Sequence, residues 1–496
     1  MYQFRKDQFS PTTRPGSRLP CSNASAASPL AHVGQTTILA GMLAMDATAG
    51  FAIPLLAAIA LSAQPDRCLP VILLTSLLAL CLIGLAGGYS LRLLHRPAGQ
   101  QIRLVLTSGM AAIGGTALAA WAFDGGRMVN AGWALPAIGL GLLGLAGGRA
   151  VIGWTLTRDP AGAWAPRTIV VGGGPAGMRL MRSLLDTQTQ SNGAESMGER
   201  GRLLGYIDDL PAATHSDARF LGGLTELLAL IRKNAVDRVI IALPWSAQAP
   251  VLDLIRQLAE CPVQIELARD AFDPDQARQD QARPELIHLM DPPLSGLAGL
   301  VKRGEDIALA SVLLIPSLPV MAAIALLIRL DSAGPVLFRQ RRTGFNNRDF
   351  RMLKFRTMHH HLTDHDAARQ VTHRDPRVTR IGAWLRRSSL DELPQLFNVL
   401  RGDMSIVGPR PHAPGTQAGG RVFDQVVTHY AARHRVRPGV TGLAQVRGLR
   451  GPTETEDKLV RRVDSDLEYI ENWSVWLDLL VLARTAFAVL RMKNAC

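Results

Sequence analysis

Aromatic residues make up only 5% of this 496-residue chain. Its five cysteines, Cys21, Cys68, Cys81, Cys261 and Cys496, form no Cys-x-x-Cys pair and have no histidine partner at metal spacing. That scatter excludes a disulfide framework or a zinc knuckle and points to a reducing, cytoplasmic face. Acidic excess is also missing. Residues 301–496 carry 30 Lys/Arg against 19 Asp/Glu, an excess of 11 in a chain whose formal charge is +13. A basic face meets nucleic acid, anionic lipid or phosphorylated substrates. Because 47% of residues are apolar and many fall in long runs, the last two partners are expected and nucleic acid is not.

The length predicts two or three structural units. Four apolar stretches, at roughly 36–62, 68–89, 102–123 and 131–156, are each able to cross a hydrocarbon core of about 30 Å. Arg5, Lys6, Arg14 and Arg18, then Arg92, Arg96 and Arg103, then Arg149, Arg158 and Arg167 alternate with Arg67 and Arg127 across these spans. The positive-inside rule therefore puts both ends in the cytoplasm. The first run is long and others follow, so it reads as a retained anchor and not a cleaved signal peptide. Asp46 lies inside the first span, either as a functional intramembrane acid or as a bundle residue with a hydroxyl or backbone partner.

Residues 168–177, TIVVGGGPAG, place Gly172, Gly174 and Gly177 in G-x-G-x-x-G spacing between a β-branched run and a helical MRLMRSLL. The spacing marks a Rossmann-like unit over about 161–290 and a candidate nucleotide loop, with a purely structural or regulatory unit as the alternative. No clear acid marks the end of the second strand to hold a ribose. A polar linker from about 270 to 293 leads to a further apolar stretch, 307–328. It has Lys302 and Arg303 before it, Arg329, Arg339, Arg341 and Arg342 after it, and Pro316 and Pro319 near its middle. Basic flanks on both sides oppose a simple crossing. Prolines bend a helix, so a re-entrant segment is expected.

In SSLDELPQLFNVL, Ser389 and Glu392 have capping-box spacing and Pro394 is tolerable only near a first turn, so a helix start is predicted there. Asp391 and Glu392 would then lie at the positive end of a helix dipole. Neighbouring helical residues point roughly 100° apart, which lets one acid attack phosphorus while the other holds a metal ion. Basic groups for a diphosphate surround the pair in sequence: Arg341, Arg342, Lys354 and Arg356 upstream, Arg410 between two prolines downstream, then Arg433, His434 and Arg437. Histidines 359, 360, 361 and 365 lack a matched second cluster and are not read as a metal site.

The ordered strings KRGEDI, GPVLFRQRRTG, FRMLKFRTM, DPRVTRIGAWLRRSSLDELPQLFNVLRGDMSIVGPRPH and RPGVTGLAQVRG resemble the bacterial sugar transferase family, the polyisoprenyl-phosphate hexose-1-phosphate transferases. The long members of that family also carry four membrane helices and a Rossmann-like, CoA-binding-like middle. The tail RVDSDLEYIENWSVWLDLLVL is similar to the glucose-transferring branch. Three positions depart from the family pattern: Leu318 before Pro319, the segment Leu449 to Thr453, and Cys496 in place of a C-terminal aromatic.

The resemblance implies a membrane protein of α plus α/β class. Its expected parts are a tail (1–35), a four-helix transmembrane bundle (36–160), the middle domain (161–290) and a monotopic, mostly helical catalytic domain (295–496) with a re-entrant membrane helix. The implied activity moves a hexose 1-phosphate, glucose before galactose or another hexose, from a UDP-sugar to undecaprenyl phosphate. UMP is released, in the first membrane step of exopolysaccharide or capsule synthesis. Asp391 is the implied nucleophile and Glu392 the Mg²⁺ ligand. Lys354 and Arg387 are expected beside them, with Arg341, Arg342, Arg356, Arg386, Arg410 and Arg437 binding substrate. The inner membrane, an active site facing the cytoplasm, and any homodimer contact through the middle domain complete these expectations. A membrane-tethered nucleotide-sugar dehydratase is the rival enzyme, but its Tyr-x-x-x-Lys pair occurs only at Tyr2 and Lys6. A non-catalytic scaffold is the rival outside enzymes, and the acids and bases around Asp391 oppose it.

Overall fold

The computed structural model describes residues 40–61, 65–89, 98–124, 131–157, 166–189, 202–208, 218–243, 248–269, 286–360, 375–413, 416–418, 421–449, 451 and 455–490. The N-terminal basic residues, Arg92, Arg96, Arg127, Arg158, His361, His365, Cys21 and Cys496 lie outside them. Two compact units result: one runs to Val251 and adds Ile265–Leu289 and Ser295–Leu300. The other comprises Leu252–Gln264, Met290–Leu294 and Val301–Cys496.

The first unit begins with four apolar helices, α1 (Ala40–Ala60), α2 (Pro65–Leu85), α3 (Ala98–Asp124) and α4 (Ala131–Thr157). Helix α1 loosens into a π turn at Thr48–Ala52 just before Pro54. Apolar helices gain no hydrophobic association in lipid, so close approach of small residues has to hold them. Gly141, Gly144 and Gly148 of α4 provide it. An added Cβ would come within 3.1 Å of Pro54, 3.0 Å of Ala49 and 3.1 Å of Met45 on α1.

Asp46 is fully buried in this helical part and has two side-chain partners. A hydroxyl partner is present, since the Tyr89 hydroxyl donates at 3.0 Å. The stronger partner was not foreseen: Arg149 of α4, counted in the sequence as a flanking charge, reaches the same carboxylate oxygen at 2.5 Å and also donates to the Gly88 carbonyl. Both side chains are wholly buried. Breaking such a pair from one side leaves an uncompensated charge, at a cost of about 3–5 kcal/mol, whereas replacing both with apolar groups is close to neutral. Arg149→Met alone should therefore sharply lower the thermal unfolding midpoint in detergent. Asp46→Leu with Arg149→Met should recover most of it, and equal losses in both would rule out this coupling.

A five-stranded sheet of order β2-β1-β3-β4-β5 completes the first unit. Its strands are β1 (Arg167–Val171), β2 (Arg202–Ile207), β3 (Arg238–Ile241), β4 (Gln264–Ala268) and β5 (Leu286–Met290). Strand β1 is buried at every position and pairs in parallel with β2 and β3, as its unbroken β-branched run requires. Helices α5 (Pro175–Thr189), α6 (Leu224–Arg232) and α7 (Gln248–Leu258) alternate with the strands.

In the glycine loop, two of the three glycines are demanded by packing. Gly172 has φ +117°, and a Cβ on Gly177 would lie 1.9 Å from the Gly172 carbonyl oxygen. Gly174 alone faces open space. The sequence reading found no acid after the second strand, and the structure corrects it. Asp208 follows β2 directly and accepts the Gly173 N–H at 2.6 Å. An Asp-Asp pair after a Tyr-Ile run carries no strand-end signal by itself, which is why Asp208 was passed over.

Helix α8 (Gly296–Asp331), which belongs to the second unit from Val301 onward, stays helical through Pro316 and Pro319. Together α1 to α4 and α8 are five helices long and apolar enough to cross a membrane, and the chain is a membrane protein. After α8 come an antiparallel ribbon, β6 (Leu337–Thr343) and β7 (Asp349–Phe355), then α9 (Arg380–Ser388), α10 (Gln395–Arg401) and β8 (Ser405–Val407). β9 (Gly439–Thr441) pairs in parallel with β8, and α11 (Glu456–Glu471) and α12 (Val475–Leu490) end the described chain.

Candidate active site

Asp391 and Glu392 sit where two helices meet, and the local backbone differs from the predicted capping box. Thr379 caps α9 by accepting the Gly382 N–H at 2.9 Å. The helix stops at Ser389, whose φ of 59° turns the chain into the left-handed region. Ser389 makes no side-chain cap bond; the acids occupy a 3₁₀ turn, Leu390–Glu392, and α10 starts only after Pro394. A left-handed residue ends one helix, and proline without an N–H belongs at the start of the next. Hence the acids lie between α9 and α10 rather than inside a first turn.

The two acids have unlike surroundings. Glu392 is clamped: Lys354 of β7 donates to Oε1 at 2.9 Å, and Arg410 spans both oxygens, bonding Oε1 through Nη2 and Oε2 through Nη1 at 3.2 Å. Burial alone would raise its carboxyl, but Arg410 and Lys354 outweigh that and hold it well below the usual carboxylate range. Asp391 is 8% exposed, and its carboxylate accepts no hydrogen bond among the described residues. Burial pushes its carboxyl above the ordinary value against the pull of Lys354, while the Glu392 charge pushes it further up. Arg386 and Arg410 draw it down. One acid is thus a fixed anion, and the other keeps its lone pairs free.

Buried contacts behind the site hold these groups in place. Asn398 of α10, wholly buried, accepts the Leu353 N–H at 2.9 Å and donates to the Arg351 carbonyl at 2.9 Å, so it ties the strand bearing Lys354 to the helix that follows the acids. Arg433 donates to the Arg410 carbonyl at 2.7 Å and pairs with buried Asp466 at 2.6 Å. The backbone just before Arg410 is pinned to β9, with the Gly408 N–H donating to the Thr441 carbonyl and the Gly439 N–H to the Pro409 carbonyl. His412, two residues on, lies between Tyr430 and Arg462. Burial and then Arg433 push its imidazole well below the ordinary range, so it is a neutral packing group.

Lys302 and Asp306, which look like flanking charges in KRGEDI, form a buried network. Lys302 bonds Asp306 at 2.9 Å and Asp478 at 2.6 Å, and Asp306 accepts from Ser405 and from the Ile406 N–H. Arg303 meanwhile caps the end of α10 through the Val399 and Leu400 carbonyls. Within the C-terminal unit these links fasten the base of α8 to the elements around the acids.

Of the predicted site residues, the structure brings together Asp391, Glu392, Lys354, Arg386, Arg410 and Arg342, the last of which has Arg410 and Glu392 as charged neighbours. Four others fall elsewhere. Arg387 is exposed at the end of α9 while Arg386 faces Asp391, because one residue along a helix turns a side chain by roughly 100°. Arg341 is exposed and paired with Asp349 at 2.5 Å, on the ribbon face opposite Arg342, as strand alternation requires. Arg356 is buried, and its guanidinium caps the end of α8 by donating to the Ser332 and Ala333 carbonyls. Arg437 is exposed, and its charged neighbours are Arg303, Asp306 and Asp403. Conversely, Asn398, Arg433 and Lys302 were missed as supports, since a buried polar residue shows no periodic signal.

Residues 297–492 match the family model described as bacterial sugar transferase, and residues 84–268 match one described as CoA-binding domain. In the glycine loop the Gly173 N–H is already taken by the Asp208 carboxylate. Among curated proteins, the chain is 46% identical over 298 residues to an undecaprenyl-phosphate glucose phosphotransferase of Komagataeibacter xylinus, covering 59% of this chain and 55% of that one. It is 41% identical over 286 residues to a UDP-glucose:undecaprenyl-phosphate glucose-1-phosphate transferase of Escherichia coli (strain K12), covering 57% and 60%. The chain thus spans little more than half the length of these two relatives. An exopolysaccharide production protein of Rhizobium leguminosarum bv. phaseoli is 48% identical over 191 residues, which are 38% of this chain and 96% of that protein. The acid pair and every group that touches it lie inside the matched region, and the chain belongs to the bacterial sugar transferase family.

Proposed function

We propose that the chain transfers a hexose 1-phosphate, glucose 1-phosphate in the first place, from a UDP-sugar to undecaprenyl phosphate. The observation that carries this reading is the unlike pair: Asp391, desolvated and accepting no hydrogen bond among the described residues, beside Glu392, locked as an anion by Lys354 and Arg410. A carboxylate oxygen of Asp391 attacks the sugar-bearing phosphorus, the bond from that phosphorus to the bridging oxygen breaks, and UMP departs with the electron pair. An oxygen of undecaprenyl phosphate then attacks the same phosphorus, which returns the Asp391 carboxylate and leaves the sugar on a lipid diphosphate. Splitting the transfer lets one site serve two displacements.

Lys354, Arg386, Arg410 and Arg342 provide positive charge for the phosphoryl oxygens. Glu392, with Asp391 beside it, is a donor set of the one or two carboxylates that Mg²⁺ takes alongside phosphate oxygens. The ion would supply charge neutralisation at phosphorus. Membranes containing the chain, incubated with a panel of UDP-sugars and undecaprenyl phosphate, should release UMP with UDP-glucose. Release with no UDP-sugar would reject the reading.

The membrane arrangement proposed is four crossing helices, α1 to α4, with both ends of α8 and the acid pair on the cytoplasmic side of a bacterial inner membrane. Basic flanks on both ends of α8 support this, as do the paired prolines. So does the Ser317 hydroxyl bond to the Leu313 carbonyl at 2.7 Å, a back-bond of the kind that bends helices. In a background without the native cysteines, Gly304→Cys and Leu330→Cys, both at exposed positions, should label from the cytoplasmic side. Labelling of either one from the periplasm alone would mean that α8 crosses.

A further inference from the structure

Arg342 differs from Arg410 and Arg433 in what holds it. Arg410 is paired with Glu392 and Arg433 with Asp466. Arg342 is in no ion pair among the described residues. Its partner is an amide: Gln340, 7% exposed, accepts from Arg342 Nη2 at 2.6 Å and from Nε at 3.2 Å through one oxygen. The pairing register explains how the two reach the site. Phe338 faces Lys354, Gln340 faces Met352 and Arg342 faces Phe350 across the ribbon, so Gln340, Arg342 and Lys354 share one face. Lys354 ends on Glu392, and Arg342 has Arg410 and Glu392 as charged neighbours.

A neutral acceptor orients a guanidinium without cancelling its charge. A carboxylate in the same place would do both, and would compete with any incoming anion. We propose that Gln340 is a positioning residue that fixes Arg342 while leaving its charge open for a phosphoryl group of the substrate. Burial, and then the like charge of Arg410, lower Arg342 to about 10. Its charge is therefore held at a cost in the free protein, and a bound anion relieves that cost. This inference rests on the proposed transfer for the identity of the substrate, while its geometry does not depend on it.

The test uses the full chain in nanodiscs and Gln340→Glu, which keeps the volume and adds the missing carboxylate. Affinity for inorganic pyrophosphate, measured by calorimetry, should fall about tenfold or more, with an unchanged or higher unfolding midpoint. In turnover assays KM should rise by a similar factor with little change in kcat. A rise for UDP-glucose assigns the phosphate to the donor, and a rise for undecaprenyl phosphate assigns it to the lipid acceptor. Loss of pyrophosphate affinity in a chain whose wild type releases no UMP would keep this inference and sink the transfer. Wild-type turnover with both KM values and the pyrophosphate affinity within twofold in Gln340→Glu would sink this inference and keep the transfer. Should Gln340→Glu not fold, Gln340→Met removes the acceptor without adding charge. A rise in KM of about threefold or more would then support the positioning role, and unchanged constants would overturn it.

Discussion

Asp391→Asn is expected to lower turnover by about 10⁴-fold or more, the scale found when an enzyme loses its nucleophile. The substitution keeps size and shape and removes only the anionic oxygen that would attack phosphorus. Misfolding is separable from this effect by the sign of the stability change. A carboxyl whose folded pKa is raised contributes stability below its unfolded pKa and loses it as pH rises through the folded value. Asp391 is such a group, with burial as the leading cause. Ionising Asp391 therefore costs the fold stability, and Asn, which carries no charge, should leave the unfolding midpoint equal or higher. Wild-type protein given UDP-glucose without lipid should release at most one UMP per site and retain sugar phosphate, whereas Asp391→Asn should retain none. Sugar phosphate trapped on the variant would move the nucleophile elsewhere.

What the sequence made legible follows physical lines. Long apolar runs announce themselves, so α1 to α4 and the apolar stretch within α8 were readable, though not the full length of α8, and an unbroken β-branched run before glycines placed β1. Asp391, Glu392, Lys354 and Arg410 were found because four short motifs converge on one acid pair. Which of two adjacent arginines faces that pair was not readable. Arg386 against Arg387, and Arg342 against Arg341, depend on the phase of a helix and a strand, and a boundary shift of one residue reverses the choice. The Ser389 capping box failed for a related reason. A left-handed serine between two helices leaves the same S-x-x-E spacing as a cap. Arg149 with Asp46, and Lys302 with Asp478, join residues more than a hundred positions apart. Only tertiary structure reveals such pairs.

Glu392→Gln should also cripple turnover, and its pH profile carries the more specific signature. Glu392 is the common partner of Lys354 and Arg410. Without its charge both cations lose the anchor that fixes them, and displacement of such groups by about 1 Å costs on the order of 10² in rate. The effect on Asp391 has a definite sign. Glu392 pushes the Asp391 carboxyl up, whereas Lys354, Arg386 and Arg410 pull it down. Removing the neighbouring anion takes away the upward push and leaves both clamping cations facing Asp391 alone. Its pKa therefore falls, and the acid limb of the residual single-turnover rate should move to lower pH than in the wild type. If Glu392 also holds Mg²⁺, that residual rate should climb as Mg²⁺ is raised, a response Asp391→Asn should not show. Turnover within a few fold of wild type, or an acid limb shifted to higher pH, would mean that Glu392 neither fixes the cations nor sets the charge state of its neighbour.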